Sequence, residues 1–230
     1  MQVPFRQFII EFKTKDDCVE GTIRRKSPTS NFKLARLGKV LMCYHPIFKA
    51  PELKLSPIEV KQDVIWVSEL SVFHQMSAQD SKRVSAVEKK QLKGIGEFMF
   101  CQALQHLKQE TAATDTTLLL LEASGFYCRT NPYEQASLPE LETVLKQKGF
   151  TLEAWIKAQT ADAGGEFESP EELLEELRKD LCKSHAVDLL ARYYTRFGFS
   201  PLSYTEPDLF SIPMMTTVGK ALAYCQKHFA

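Results

Sequence analysis

The sequence of 230 residues predicts a mixed α/β fold. Three observations support this class: residues 5–72 contain four stretches that resemble strands, residues 64–124 alternate strand, helix and strand, and residues 125–183 carry helix signals. The length and an apolar content of 44% are sufficient for a sizeable core. We therefore expect one large domain or two small ones.

The N-terminal part, residues 1–75, is predicted to be rich in strands. Its candidate strands are residues 5–13, 19–26, 32–44 and 64–72. Three prolines within residues 46–61 predict a loop before the fourth strand. No helix is predicted before residue 80.

A helix is predicted directly after the segment Gly94-Ile95-Gly96. Its apolar residues recur at helical spacing: Phe100, Ala103, Leu104 and Leu107. Residues 117–123, with the sequence TLLLLEA, then predict a buried strand. This order of strand, helix and strand over residues 64–124 indicates an α/β sheet.

Residues 125–183 are predicted to form a helical insertion. Ser137 is a good N-cap because a proline follows in the first turn, and Gly149 is a good C-cap for the same helix. Ser169 begins another helix by the same chemistry. The remaining segment, residues 184–230, is expected to contain a helix, two strands and a short last helix.

The composition excludes several classes of protein. Lys+Arg and Asp+Glu both number 29, so the net charge is zero and a nucleic-acid binder is not expected. No apolar run is long enough to span a membrane, and the first residues do not resemble a signal peptide. The six cysteines form no CxxC, and no metal site is predicted. We expect reduced thiols and a cytoplasmic protein.

The pair Gly94 and Gly96 at a predicted helix start indicates an anion-binding loop. Unpaired N–H groups in the first helical turn, together with the helix dipole, favour a pyrophosphate, and Lys93 adds positive charge nearby. A plain tight turn is the alternative. The dinucleotide fingerprint fails at Met99, and the P-loop motif fails at Glu97.

Residues 91–96, QLKGIG, resemble the Q/R-x-x-G-x-G/A motif of the GNAT-family N-acyltransferases, which cradles the pyrophosphate of acyl-coenzyme A. The strand SELSV at residues 68–72 and the strand TLLLLEA flank this segment in the order of that family's fourth and fifth strands. Residues 194–199, YTRFGF, resemble the end of the family's next helix. The resemblance implies a single domain with a mostly antiparallel central sheet flanked by helices.

The resemblance also implies roles for individual residues, with acetyl-coenzyme A as the co-substrate. The residues that match the pyrophosphate loop, mostly through backbone N–H groups, are Gln91, Lys93, Gly94, Ile95, Gly96 and Glu97. Leu70 and Val72 match the strand positions whose backbone pairs with pantetheine. Tyr194 matches the tyrosine that protonates the leaving thiolate, and its helical position predicts a side chain that points towards the sheet.

Four further residues have side chains that could take part in catalysis. Glu69, on the fourth strand, and His74, just beyond it, could accept the proton of the amine; the alternatives, which the sequence favours, are a satisfied strand carboxylate for Glu69 and a surface-loop histidine for His74. Tyr193 is an alternative proton donor. Cys128 could be a nucleophile, but no histidine partner is identifiable.

The predicted function is transfer of an acetyl group from acetyl-coenzyme A to a primary amine by direct attack in a ternary complex. The amine, a small molecule or a protein, could be cationic, because residues 160–183 are acidic and the insertion is expected to help form the acceptor site. The simpler alternative is that these acidic residues form a solvated helix face. One alternative is a longer-chain synthase, since residues 66–73 faintly resemble a strand of acyl-homoserine-lactone synthases. The other is a non-catalytic module that binds acyl-coenzyme A.

Overall fold

The computed structural model describes residues 1–6, 8–25, 38–46, 62–72, 90, 93–124, 128, 130–163, 167, 169–202 and 208–229. The described strands are β1 (Gln2–Phe5), β2 (Phe8–Lys15), β3 (Cys18–Arg25), β4 (Gly38–His45), β5 (Val64–Val72), β6 (Leu118–Ser124), β7 (Ser200–Pro201) and β8 (Ser211–Thr217). The described helices are α1 (Ile95–Glu110), α2 (Leu138–Gln147), α3 (Leu152–Ala163), α4 (Pro170–Thr195) and α5 (Val218–Phe229). The predicted mixed α/β class is confirmed.

The eight strands form one sheet in the order β1-β2-β3-β4-β5-β6-β8-β7. Neighbouring strands from β1 to β5 are antiparallel, as are β7 and β8, whereas β5 and β6 are parallel. A parallel pair needs a long crossover connection, and the segment that contains α1 provides it. The sheet is therefore mostly antiparallel with one parallel pair near its middle.

One face of the sheet is buried against α1. Along β2, the alternate residues Phe8, Ile10 and Phe12 are 0–3% exposed, as strand geometry requires for one covered face. Thr14 lies on the same face, and its hydroxyl oxygen is 3.0 Å from the Nε2 atom of His106 in α1. This face and the apolar stripe of α1 form the main core.

The chain divides into two compact units. The first comprises Met1–Glu122, Tyr194–Pro201 and Met214–Ala230, and the second comprises Ala123–Tyr193 and Leu202–Pro213. The second unit has its own apolar cluster, drawn from α2, α3, α4 and the segment before β8: Leu141, Leu145, Trp155, Leu177, Leu181 and Leu209. A single domain with an insertion at residues 125–183 stays a prediction.

The predicted helix caps of the second unit have the expected geometry. Ser137 and Glu140 form a reciprocal capping box at the start of α2, and Gly149 after its end has a φ of 85°. The hydroxyl of Ser169 accepts a hydrogen bond from the N–H of Glu172 at the start of α4. The predicted break between two helices near residue 183 is wrong, because α4 is continuous and its sequence has no helix-breaking residue there.

The expectation of reduced thiols is also wrong, since all six cysteines form disulfides. Cys18–Cys43 links β3 to β4, Cys101–Cys225 links α1 to α5, and Cys128–Cys182 lies within the second unit. The partners are 25, 124 and 54 residues apart, so no local motif could reveal them. Because Cys128 is paired, it has no free thiol to act as a nucleophile. The cytoplasmic prediction rested in part on reduced cysteines, and the disulfides remove that support.

Candidate functional site

Gly94 begins α1 in a conformation that favours glycine. Its φ is 83°, and a Cβ built on it would meet no atom of the described residues within 4 Å. The carbonyl oxygen of Gly94 accepts the first helical hydrogen bond, from the N–H of Phe98 at 3.0 Å. As far as the described residues show, there is open space over the backbone at the place where the sequence predicts a ligand.

The first turn of α1 supplies backbone donors from a fixed position. The N–H groups of Ile95, Gly96 and Glu97 precede the first helical hydrogen bond, and glycine at the cap position has no side chain to accept from them. Ile95 is 1% exposed and Met99 is fully buried, so the core holds this turn in place. Such a turn can bind an anion through its donors and the positive end of the helix dipole.

Basic groups flank this turn on its N-terminal side. Lys90 and Lys93 are exposed, and the Arg6 guanidinium donates to the carbonyl oxygen of Lys90 at 3.3 Å. Gln91, the first residue of the predicted motif, lies outside the described residues. The described part of the loop thus combines backbone donors with positive charge, as a diphosphate requires.

The Glu97 carboxylate contacts two other side chains. It accepts a hydrogen bond from the Tyr224 hydroxyl at 3.1 Å, and the Arg196 guanidinium lies 3.5 Å away. Burial, together with the charge of this carboxylate, raises the pKa of Tyr224 above its ordinary value. These contacts compensate the negative charge of Glu97, which leaves its backbone N–H as the group suited to an anion.

Strand β5 contains a bulge at Ser68. Met42 of β4 pairs with Val67 and Leu41 pairs with Glu69, so Ser68 is the extra residue. The Ser68 hydroxyl donates to the Leu41 carbonyl oxygen at 3.4 Å. A bulge bends its strand and increases the local twist, so β5 changes direction here.

The parallel ladder between β5 and β6 ends at the same place. It runs from the pair Val64–Leu118 to the pair Val67–Leu121, although β5 continues to Val72. Among the described residues of these strands, no further pair joins β5 to β6. The ladder therefore ends at Val67, and among the described residues no strand pairs with this edge of β5 beyond that point.

The bulge also decides which way the candidate residues of β5 point. Cys43 and Leu41 lie on one face of β4, and they pair with Trp66 and Glu69, so these two residues share that face although they are three apart. Leu70 pairs with Val40 and lies on the opposite face, which packs on α1. Of Val72 only the backbone, paired with Gly38, is described, and His74 lies outside the described residues.

Glu69 forms a close ion pair across the sheet. Its Oε2 atom lies 2.7 Å from the Lys39 Nζ atom, and the two side chains are 39% and 20% exposed. Lys39 belongs to β4, two residues from the partner of Glu69, so both side chains lie on the same face. The candidate base is thus held by a cation just beyond the bulge.

Tyr194 lies in the last turn of α4 and is buried, with 4% of its surface exposed. Arg192 and Arg196 are exposed. This difference is the one that helical spacing predicts. The Tyr194 ring lies edge-on to Phe199, with 6.0 Å between centroids. Burial raises the pKa of the hydroxyl above its ordinary value of about 10, so the phenol keeps its proton at neutral pH. Tyr193 is half-buried.

The structure brings residues 194–199 together with the first two turns of α1. The Phe100 ring lies 4.7 Å from that of Phe197 and 6.3 Å from that of Phe199, and Arg196 approaches Glu97 as described above. Gly198, the fifth residue of this segment, has a φ of 83°. Two segments about 100 residues apart in sequence therefore pack together.

Comparison of the chain with protein-family models, curated proteins and solved structures finds no match.

Among the described residues, no group of three or more His, Cys, Asp or Glu side chains is arranged to hold a metal ion. In the same part of the chain, no helix is both long enough and apolar enough to cross a membrane.

Sequence reasoning missed Lys39, Arg196 and Tyr224. Lys39 becomes visible only when the register between β4 and β5 is known, because its partner is 30 positions away. Tyr224 reaches the site through the packing of α5 on α1, which no motif encodes. Arg196 alone carried a signal, since it lies within the YTRFGF segment.

Proposed function

We propose that this chain is a GNAT-like N-acyltransferase that moves an acetyl group from acetyl-coenzyme A to a primary amine. The observation that carries the proposal is the coincidence of two features in one strand–helix–strand unit. Strand β5 has a bulge at the point where its parallel ladder to β6 ends, and α1 between them begins at Gly94 with open space above it. The first feature suits an extended amide ligand, and the second suits a diphosphate.

Coenzyme A contains both groups. We propose that its diphosphate accepts hydrogen bonds from the N–H groups of residues 95–97 and is further stabilised by Lys93 and Gln91. The amides of its pantetheine arm then pair with the backbone of Leu70 and Val72 on the edge that β5 no longer shares with β6. These contacts use the backbone, so they tolerate variation in side chains.

The chemical step needs one proton acceptor and one proton donor. The amine nitrogen attacks the thioester carbonyl carbon, a C–N bond forms, and the C–S bond breaks as the coenzyme A sulfur leaves. Glu69 takes the proton of the amine, directly or through water, and backbone N–H groups at the bulge stabilise the carbonyl oxygen as it becomes negative. No covalent enzyme intermediate is required.

Tyr194 supplies the proton for the leaving sulfur. Its hydroxyl is protonated at neutral pH, so it donates a hydrogen bond to the sulfur as charge develops there and passes its proton on as the C–S bond breaks. Solvent returns a proton to the phenolate after product release. The role agrees with its position in the segment that packs on α1.

Two measurements test the proposal. Calorimetric titration with coenzyme A and acetyl-coenzyme A is expected to show binding, and assays with a panel of primary amines (spermidine, tyramine, glucosamine and a lysine-containing peptide) are expected to show release of free thiol. Binding without turnover on any amine would favour the non-catalytic module. A strong preference for octanoyl- over acetyl-coenzyme A would favour the longer-chain synthase, and absence of binding would refute all three functions.

A further inference from the structure

We infer that Lys39 is a positioning residue for Glu69, and that it sets the orientation of the proton acceptor in the acyl transfer. This inference rests on the proposed function. It begins from the bulge, because without the extra residue Ser68 the Glu69 side chain would point to the opposite face of the sheet, towards α1. The bulge instead places Glu69 on the face that carries Lys39.

The ion pair joins the two strands beside the place where β5 leaves β6. Glu69 is the second residue after the last ladder pair, and Lys39 belongs to β4, which stays paired with β5 as far as Val72. Lys39 is therefore anchored on the strand that does not separate. The ion pair with Lys39 therefore holds the Glu69 carboxylate in one position relative to the edge of β5 that separates from β6.

Orientation matters here because a glutamate side chain has three rotatable bonds. A proton acceptor works only within hydrogen-bond reach of the amine, and displacement of a catalytic group by about 1 Å can lower a rate roughly 100-fold. Lys39, with a side chain 20% exposed and an N–O distance of 2.7 Å, removes much of that freedom. The geometry points to a carboxylate that is oriented before the amine arrives.

Loss of Lys39 should affect the chemical step and not the binding of coenzyme A. Lys39 lies on the face of β4 opposite to the one that packs on α1, whose first turn carries the proposed diphosphate contacts. Its loss should therefore lower kcat and leave the affinity for acetyl-coenzyme A unchanged. A residue that merely stabilised the sheet would not produce this separation.

The test uses the full chain with acetyl-coenzyme A and the most reactive amine of the panel. Lys39→Met is expected to lower kcat by roughly 10- to 100-fold, with unchanged affinity for acetyl-coenzyme A, and Lys39→Arg is expected to restore most of the rate. Lys13→Met is the matched control, because Lys13 is an exposed lysine on the same face of the sheet. It should keep the wild-type kcat.

A double-mutant cycle separates positioning from stability. If Lys39 acts through Glu69, adding Lys39→Met to Glu69→Gln causes no further loss of kcat. If Lys39→Met does not fold, Lys39→Gln replaces it in the same cycle. Wild-type kcat in the folded Lys39 variant, or additive losses in the cycle, would overturn this inference and leave the proposed function standing. A wild type that binds no acetyl-coenzyme A would overturn both.

Discussion

Replacement of Gly94 by alanine separates backbone strain from ligand binding. Its φ of 83° disfavours any residue with a Cβ by about 1–2 kcal/mol, and the open space above it means that no steric clash adds to this cost. For a chain of this length, that strain corresponds to a decrease in Tm of roughly 2–8 °C. Differential scanning calorimetry measures it directly.

The same methyl group should weaken coenzyme A binding. If the diphosphate lies over the first turn of α1, the new Cβ occupies the space that the ligand approaches, and relaxation of φ would turn the N–H groups of that turn away. We expect at least about a tenfold loss of affinity, which corresponds to about 1.4 kcal/mol. Isothermal titration calorimetry with coenzyme A provides the measurement.

Gly149→Ala is the matched control. Gly149 has a φ of 85° after the end of α2, so its replacement creates a similar strain in the other compact unit. Both variants should lose stability, and only Gly94→Ala should lose affinity. Equal affinities in the two folded variants would refute the assignment of the cradle to the start of α1.

Three further predictions test other parts of the argument. Gly96→Glu should abolish coenzyme A binding by steric block and charge repulsion while the fold persists, and calorimetry showing wild-type affinity would contradict this. Tyr194→Phe should lower kcat at least tenfold with nearly unchanged affinity for acetyl-coenzyme A, whereas unchanged kcat would transfer the role to Tyr193 or water. Gly21→Ala should destabilise the fold by about 1–3 kcal/mol in chemical denaturation, because its Cβ would lie 2.6 Å from the Phe12 ring and 2.7 Å from Val40. The additional change Phe12→Leu should recover part of that loss, and no loss in Gly21→Ala alone would show that the ring moves aside freely.

Features encoded by a few neighbouring residues could be predicted from the sequence. The cap at Ser137 depends on four consecutive residues, and the helix start at Gly94 depends on one glycine, so both were predictable. The burial of Tyr194 followed from helical spacing alone. In each case the interaction that decides the structure is local.

Features that depend on register or on distant contacts could not be predicted. The bulge at Ser68 requires knowledge of how β4 pairs with β5, and a shift of one residue would reverse the faces of Glu69 and Leu70. The disulfide between Cys101 and Cys225 joins residues 124 positions apart, and only the packing of α5 on α1 brings them together.

The division of the chain into units has a consequence for how a shortened chain folds. The first unit is assembled from three separate segments, and its last segment, Met214–Ala230, supplies α5 and most of β8. A fragment that ends at Pro213 contains every residue of the second unit but lacks this segment. We therefore expect the second unit to keep its apolar cluster in such a fragment, whereas the surface of α1 that packs on α5 is exposed. Limited proteolysis of the fragment should cleave the first unit before the second, and equal cleavage of both units would contradict this expectation.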